Sequence, residues 1–229
     1  MALKAIGNRV AILTGRGTIY IADFDTSPNK YSEPIDLSYS PVLKANYDDQ
    51  ITAFEWIKAE SDHDKIYLAA GTLMGHIHIF RIHEKEVIQI RFISNAHFET
   101  VTSLAECPLS NRNDCLFASG SYDGTLKIWS LYQTEALYSM EATNRKICSL
   151  IWDSGAKFIF IVRDENQDSG VLSCFFPVLK NDESVTLGEV VDLRLIKNTS
   201  SCVKISIFRK LCLVKVQQSS VFLIHIKEF

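Results

Sequence analysis

The chain has 229 residues, 47% of them hydrophobic, and a formal net charge of −3 at pH 7. That length supports a substantial buried core, and the slightly acidic balance excludes a general electrostatic pull toward nucleic acid or an anionic membrane surface. The longest apolar runs, such as 158–162, are of strand length, far short of the ~20 residues a membrane helix requires, and no membrane insertion is expected.

In chain order, 10–14, Gly15-Arg16-Gly17 and 18–24 read as a first strand–turn–strand unit. Ahead of it stands only Leu3-Lys4-Ala5-Ile6, too little for a clear inner strand together with a clasp strand, at ~3.3 Å of reach per residue. The stretch 26–46 carries Pro28, Pro34 and Pro41 among serines, which predicts an irregular surface excursion. Then come 51–56 as an inner strand, 68–82 as a hairpin turning near Gly75, and 87–92 as an outer strand. The series repeats with 101–105, 117–129 and 136–140. It repeats again with 147–152, 157–162, a polar turn over 163–170 and 171–176. It closes with 203–208, 211–216 and 221–226. Period-2 patterns rich in β-branched and aromatic residues, with no sustained helical period, make the chain all-β.

The most specific stretch is Phe117-Ala118-Ser119-Gly120-Ser121-Tyr122-Asp123-Gly124-Thr125-Leu126-Lys127-Ile128-Trp129. It is a strand, an Asp-Gly turn and a second strand ending on Trp. It resembles a WD40 repeat, with Ile128-Trp129-Ser130 where the family usually ends in Trp-Asp. Upstream, Asn95-Ala96-His97 stands where the family usually has Gly-His. The segment 68–82 aligns on this copy without a gap: Gly71 falls on Gly120, Gly75 on Gly124, Ile79 on Ile128 and Phe80 on Trp129. It has Met74 and Ala70 in place of Asp123 and Ser119. The turn glycines Gly17, Gly75, Gly124 and Gly170 recur roughly every 50 residues, a little above the ~40–45 of a compact repeat.

The resemblance implies one WD40-type β-propeller domain over 1–229, with five units at about 1–25, 47–93, 97–140, 144–192 and 201–229. It also implies a buried hydrogen-bonded structural tetrad of His97, Ser119, Asp123 and Trp129. Seven blades are the commonest number, so five units leave three readings open: a small closed ring, an open arc completed by a partner chain, or part of a longer protein. The apolar strand 221–226 needs cover at its edge, which makes Val221, Phe222, Leu223 and Ile224 candidate partner-binding residues.

Catalytic and metal readings find little support. Ser119, His97 and Asp123 are the residue types of a hydrolase triad, but Ser119 lies within a strand pattern and no nucleophile elbow surrounds it. His76, His78 and His83 cluster without a completing Cys or Asp, and the six cysteines are scattered singly, with no C-x-x-C pair. No metal, cofactor or catalytic residue is expected. Lys204, Arg209, Lys210 and Lys215 give the last unit a basic tint. The expected function is a non-enzymatic protein–protein interaction scaffold, a subunit of a multiprotein complex in the cytoplasm or nucleus. The alternative is a WD40 subunit of a nucleoprotein complex that touches RNA or DNA directly. The N-terminal residues lack a signal-peptide pattern, in keeping with either compartment.

Overall fold

The computed structural model describes residues 2–23, 42–44, 49–58, 66–83, 86–108, 115–140 and 144–152, then the strand segments 159–166, 169–175, 177–179, 185–187, 191–195, 204–208, 211–216 and 220–225. Side chains are described up to residue 152, those of 42–44 excepted, and beyond it for Ile159, Ile161 and Arg163. Every regular element among these is a β-strand.

Five antiparallel sheets follow one another along the chain. The first is β1 (Ala2–Ile6), β2 (Arg9–Leu13), β3 (Thr18–Asp23) and β4 (Val42–Lys44). The second is β5 (Ile51–Lys58), β6 (Ile66–Thr72), β7 (Ile77–His83) and β8 (Glu86–Ile93). The third is β9 (Val101–Glu106), β10 (Leu116–Ser121), β11 (Leu126–Ser130) and β12 (Tyr138–Ser139). The fourth takes β13 (Ile147–Trp152), β14 (Ile159–Asn166), β15 (Ser169–Phe175) and, after a small hairpin of β16 (Pro177–Leu179) and β17 (Val185–Leu187), β18 (Val191–Leu195). The fifth is β19 (Lys204–Phe208), β20 (Leu211–Val216) and β21 (Ser220–His225). The first strand of each sheet packs on the first strand of the next, β1 on β5, β5 on β9, β9 on β13 and β13 on β19. The sheets are therefore blades, each with its first strand innermost. Among the described residues no strand of the first sheet is hydrogen-bonded into the fifth.

Several details differ from the sequence reading. Ala2–Ile6, short as it is, forms the inner strand of the first blade, because β5 supplies partners for it: Trp56 Nε1 donates to the Lys4 carbonyl at 3.0 Å and Lys4 pairs with Glu55. Within 26–46, Val42–Lys44 is not irregular but the outer strand of the first blade, paired with Thr18–Tyr20 beyond the three prolines; the rest of that stretch lies outside the described residues. The turn placed at 163–170 is much tighter, since β14 and β15 stay paired out to Asn166 and Ser169. The outer strand expected over 136–140 shrinks to Tyr138–Ser139. The hairpin of β16 and β17 was not anticipated.

The core is not one mass but a series of layers between blades. Leu68 and Ala70 on β6, with Phe80 and Ile82 on β7, pack toward the first blade's Ala11, Ile19 and Ile21. The intervening residues Tyr67, Ala69, Ile77 and Ile79 face the third blade's Leu104, Phe117 and Trp129. On that blade, Ala118, Leu126 and Ile128 turn the other way to meet Ile147, Leu150 and Ile159. Side chains alternate across a strand, so a strand covered on both faces is buried at nearly every position. That is why Leu116–Ser121 is buried along its whole length. Each fully buried Ile, Leu or Phe contributes roughly 1.5–3 kcal/mol, and stability is distributed over nearest-neighbour interfaces.

One contact is repeated at two of these interfaces. A Cβ on Gly120 would lie 2.6 Å from Cγ2 of Ile147, and one on Gly71 would run into Cγ1 of Val101, so the next blade's inner strand seats directly on each glycine. Beside each, a threonine bridges the two blades. Thr52 Oγ1 reaches the carbonyls of Gly71 (3.2 Å) and Val101 (2.6 Å); Thr102 Oγ1 reaches those of Gly120 (3.0 Å) and Ile147 (2.7 Å).

Candidate functional site

The turn between β10 and β11 is built by Ser121-Tyr122-Asp123-Gly124-Thr125. Gly124 N–H donates to Ser121 O at 3.2 Å, and Gly124 takes φ 79°, a conformation that costs an L side chain but not glycine. The same bond recurs from Gly17 to Thr14 and from Gly75 to Thr72. All three turns therefore point to one rim.

His97, from the segment between β8 and β9, is brought beside that turn. It is 1% exposed and Ser119 is 0% exposed. His97 Nε2 lies 2.7 Å from Ser119 Oγ, and Trp129 Nε1 donates to the same oxygen at 2.7 Å. His97 Nδ1 lies 2.7 Å from Thr125 Oγ1 and 3.4 Å from Asp123 Oδ2. Thr125 Oγ1 donates to Asp123 Oδ1 at 2.6 Å. The direction of the chain is fixed at both ends, because an indole N–H only donates and a carboxylate only accepts. The proton order therefore runs Trp129 to Ser119, Ser119 to His97 Nε2, His97 Nδ1–H to Thr125, and Thr125 to Asp123. A neutral imidazole in its Nδ1–H form satisfies every group. Burial lowers the His97 pKa and keeps the ring neutral. Burial pushes the Asp123 carboxyl upward, but the His97 ring 3.4 Å away and hydrogen bonds from the Thr125 hydroxyl and the Phe98 and Thr125 amides outweigh it and hold the group well below the usual carboxylate range.

The sequence reading joined His97 directly to Asp123 and omitted Thr125. The hydroxyl of Thr125 lies within hydrogen-bonding distance of both, a fifth member of the network. A hydroxyl next to the turn glycine, two residues after the Asp, was the available signal.

The same turn anchors the rim. Leu73 N–H donates to Gln50 O (2.8 Å), Thr100 Oγ1 donates to Leu73 O (3.0 Å), and Tyr122 N–H donates to Thr100 O (3.0 Å). His97 N–H donates to Gly75 O at 2.9 Å, and Phe98 N–H to Asp123 Oδ2 at 2.9 Å. The second blade has Met74 where the third has Asp123, and there the link is reversed: Asp49, from the preceding segment, accepts the Met74 N–H at 2.9 Å. These bonds hold four apolar side chains outward on one rim: Leu73 (47% exposed), Met74 (57%), Phe98 (91%) and Tyr122 (41%). None of the four was expected at the surface from the sequence, where Met74 was noted only for standing in the place of Asp123.

The other residues named from the sequence lie elsewhere. Val221, Phe222, Leu223 and Ile224 form the middle of β21, opposite Lys215, Val214, Leu213 and Cys212 of β20, and no strand pairs the other edge of β21 among the described residues. His76 Nδ1 accepts the Asn95 N–H, His78 meets Gln89 at 3.2 Å, and no group of three His, Cys, Asp or Glu able to hold a metal occurs among the described residues. Among the described residues no helix is long and apolar enough to cross a membrane. Lys204 and Lys215 sit opposite each other on β19 and β20; Arg209 and Lys210 lie outside the described residues.

Repeated four-stranded blades, nested inner strands and the indole-to-carboxylate chain define the fold as a WD40-type β-propeller. The chain carries a WD40 repeat: the family model described as "WD domain, G-beta repeat" matches residues 87–130. The chain is similar to a protein called ribosome biogenesis protein YTM1 from Debaryomyces hansenii, 33% identical over 99 residues that make up 38% of this chain and 20% of that protein. It thus spans about a fifth of the length of that relative. A structure of an active polycomb repressive complex 2 in the basal state superposes over 94% of this chain and 44% of that one, with TM-score 0.68 at 15% identity. A mitotic checkpoint complex structure matches over 92% of this chain and 56% of that one, with TM-score 0.60 at 15% identity. At that identity these structures speak for the fold alone.

Proposed function

We propose that the chain is a non-enzymatic protein-interaction scaffold, a subunit of a larger assembly. The observation that carries this reading is the set of outward apolar side chains Leu73, Met74, Phe98 and Tyr122 on one rim, each on a short segment fixed by backbone hydrogen bonds between blades. Exposed apolar side chains gathered on neighbouring turns of a rigid frame suit partner binding. The catalytic alternative fares poorly: Ser119 is fully buried, with its hydroxyl committed to Trp129 and His97. His97, Ser119, Asp123 and Trp129, with Thr125, serve as a structural network that locks the third blade. Similarity to a protein named for ribosome biogenesis favours an assembly that serves that process, in the cytoplasm or nucleus. The apolar strand β21, with Val221, Phe222, Leu223 and Ile224, is proposed to receive a strand from a partner.

Affinity purification of the tagged full chain from its source cells, followed by gradient sedimentation, tests the reading. Migration in a particle much heavier than the 25.9 kDa chain, surviving nuclease treatment, supports a protein scaffold. Migration as a lone chain overturns it. A particle lost on nuclease treatment transfers the reading to direct nucleic-acid contact.

A further inference from the structure

We infer that the rim running from Arg16 to Lys146 binds a linear acidic peptide that carries aliphatic or aromatic side chains; this rests on the scaffold reading above and names the chemistry of its partner. A chain of contacts links the three blade turns. The position a Cβ on Gly17 would take lies 2.6 Å from Gln50, the Gln50 carbonyl holds the Leu73 amide, the Leu73 carbonyl holds Thr100, and the Thr100 carbonyl holds the Tyr122 amide. The Lys146 ammonium then sits over the Tyr122 ring at 5.0 Å. Leu73, Met74, Phe98 and Tyr122 make the apolar middle of this line.

Charge selects the partner. Arg16 and Lys146 are exposed at the two ends, with the half-exposed Arg145 beside Lys146. Among the described residues Glu99 is the one fully exposed carboxylate on these turns, while Asp49 is buried and the Asp123 carboxylate accepts from Phe98 and Thr125. Among the described residues the solvent-exposed charges of the rim are therefore mostly cationic, on a chain whose overall charge is −3. Cations at the ends and aliphatic groups in the middle fit a peptide whose acidic residues flank apolar anchors. A nucleic-acid strand would call instead for cations spaced along its whole phosphate track.

The test uses the full chain and four fluorescein-labelled probes followed by anisotropy. The first is a short peptide alternating Glu or Asp with Leu or Phe. The second has Lys for each acid, the third has Ser for each apolar residue, and the fourth is a short oligouridylate. The expected result is saturable binding of the first probe only, weaker at high salt. Phe98→Ala and Met74→Ser should each weaken it by about tenfold or more, and Lys146→Glu should flatten the salt dependence. All three side chains are exposed, so thermal unfolding of the variants should match the parent. Equal binding of the lysine probe, preference for oligouridylate, absence of binding, or indifference to Phe98→Ala each overturns the inference. A chain that sediments in a large particle yet ignores the first probe refutes the rim inference and leaves the scaffold reading standing. A chain that binds the probe but sediments alone does the reverse.

Discussion

The backbone N–H of Phe98 donates to Oδ2 of Asp123 at 2.9 Å, which ties the rim's most exposed ring to the acceptor end of a buried hydrogen-bond chain. The adjacent residue, His97, turns inward to occupy the middle of that chain. Two consecutive residues thus divide the work: one closes the interior of the third blade, the other presents an aromatic side chain to solvent. Substitutions inside the network should be felt on the surface, whereas removing the Phe98 ring should leave stability within about 0.5 kcal/mol of the parent.

Thr125 supplies the sharpest test of the network's connectivity. Thr125→Val keeps the shape but removes the hydroxyl between His97 and Asp123, leaving the buried Nδ1–H short of its nearest acceptor. The expected cost is roughly 1–3 kcal/mol by denaturant unfolding, with Thr125→Ser close to the parent. Equal stability of the valine and serine variants would show that the 3.4 Å approach of His97 to Asp123 suffices by itself.

Stability should also fall on acidification through the same residues. The folded state holds His97 with a lowered pKa, so below the unfolded value of about 6.5 the unfolded chain takes up a proton that the folded chain refuses. That contribution is present above pH 6.5 and is lost as pH drops toward the folded value. Asp123 adds a second loss below its ordinary value of 3.8. Burial raises Glu55 and Glu106, which contribute the opposite sign just above pH 4.5. The informative quantity is therefore the difference between the parent and His97→Gln, measured by chemical denaturation from pH 7.5 to 5. The parent's advantage should shrink across that window; a constant difference would contradict the neutral-imidazole assignment.

The strand–turn–strand pattern was legible because period-2 burial and glycine turns are local properties, as in Phe117–Trp129 and its gapless match over 68–82. What escaped were relations between segments distant in sequence. Ala2–Ile6 is too short to announce itself, and becomes an inner strand through the Trp56 and Glu55 contacts that β5 offers. Val42–Lys44 was hidden by the prolines before it. Asp49 does for the second blade's turn what a carboxylate within the turn does for the third, from a position no alignment of turns would examine. The apolar rim was missed for a different reason: isolated Leu, Met, Phe and Tyr codes are neutral in a sequence half of whose residues are hydrophobic. Only their common exposure on neighbouring turns sets them apart.

The glycine seats between blades make a packing prediction. Gly120→Ala places a methyl group 2.6 Å from Ile147 Cγ2 and 2.9 Å from Leu150 Cδ2, and overpacking of this kind costs roughly 1–3 kcal/mol. Ile147→Ala alone should also destabilise, through the cavity it leaves. Combined, the two should cost less than the sum of the separate changes, because the truncated isoleucine vacates the space the new methyl needs. Strict additivity in a double-mutant cycle would show that the third and fourth blades separate freely at this point.

Amide hydrogen exchange separates the two jobs of Asp123. Its carboxylate accepts from the amides of Phe98 and Thr125 and from the Thr125 hydroxyl, so Asp123→Ala deprives three donors at once. The expected loss of stability is roughly 1–3 kcal/mol, and the global rate of exchange will rise accordingly. Beyond that general rise, the Phe98 amide should lose protection selectively, since nothing else is seen to accept it. The neighbouring His97 amide, bonded to the Gly75 carbonyl at 2.9 Å, should follow only the global change. A Phe98 amide that keeps pace with His97 in the variant would mean that Asp123 supports the blade interior without positioning the rim. A selective loss at Phe98, with weaker binding of the acidic apolar peptide, would tie the buried network to the presentation of its anchor.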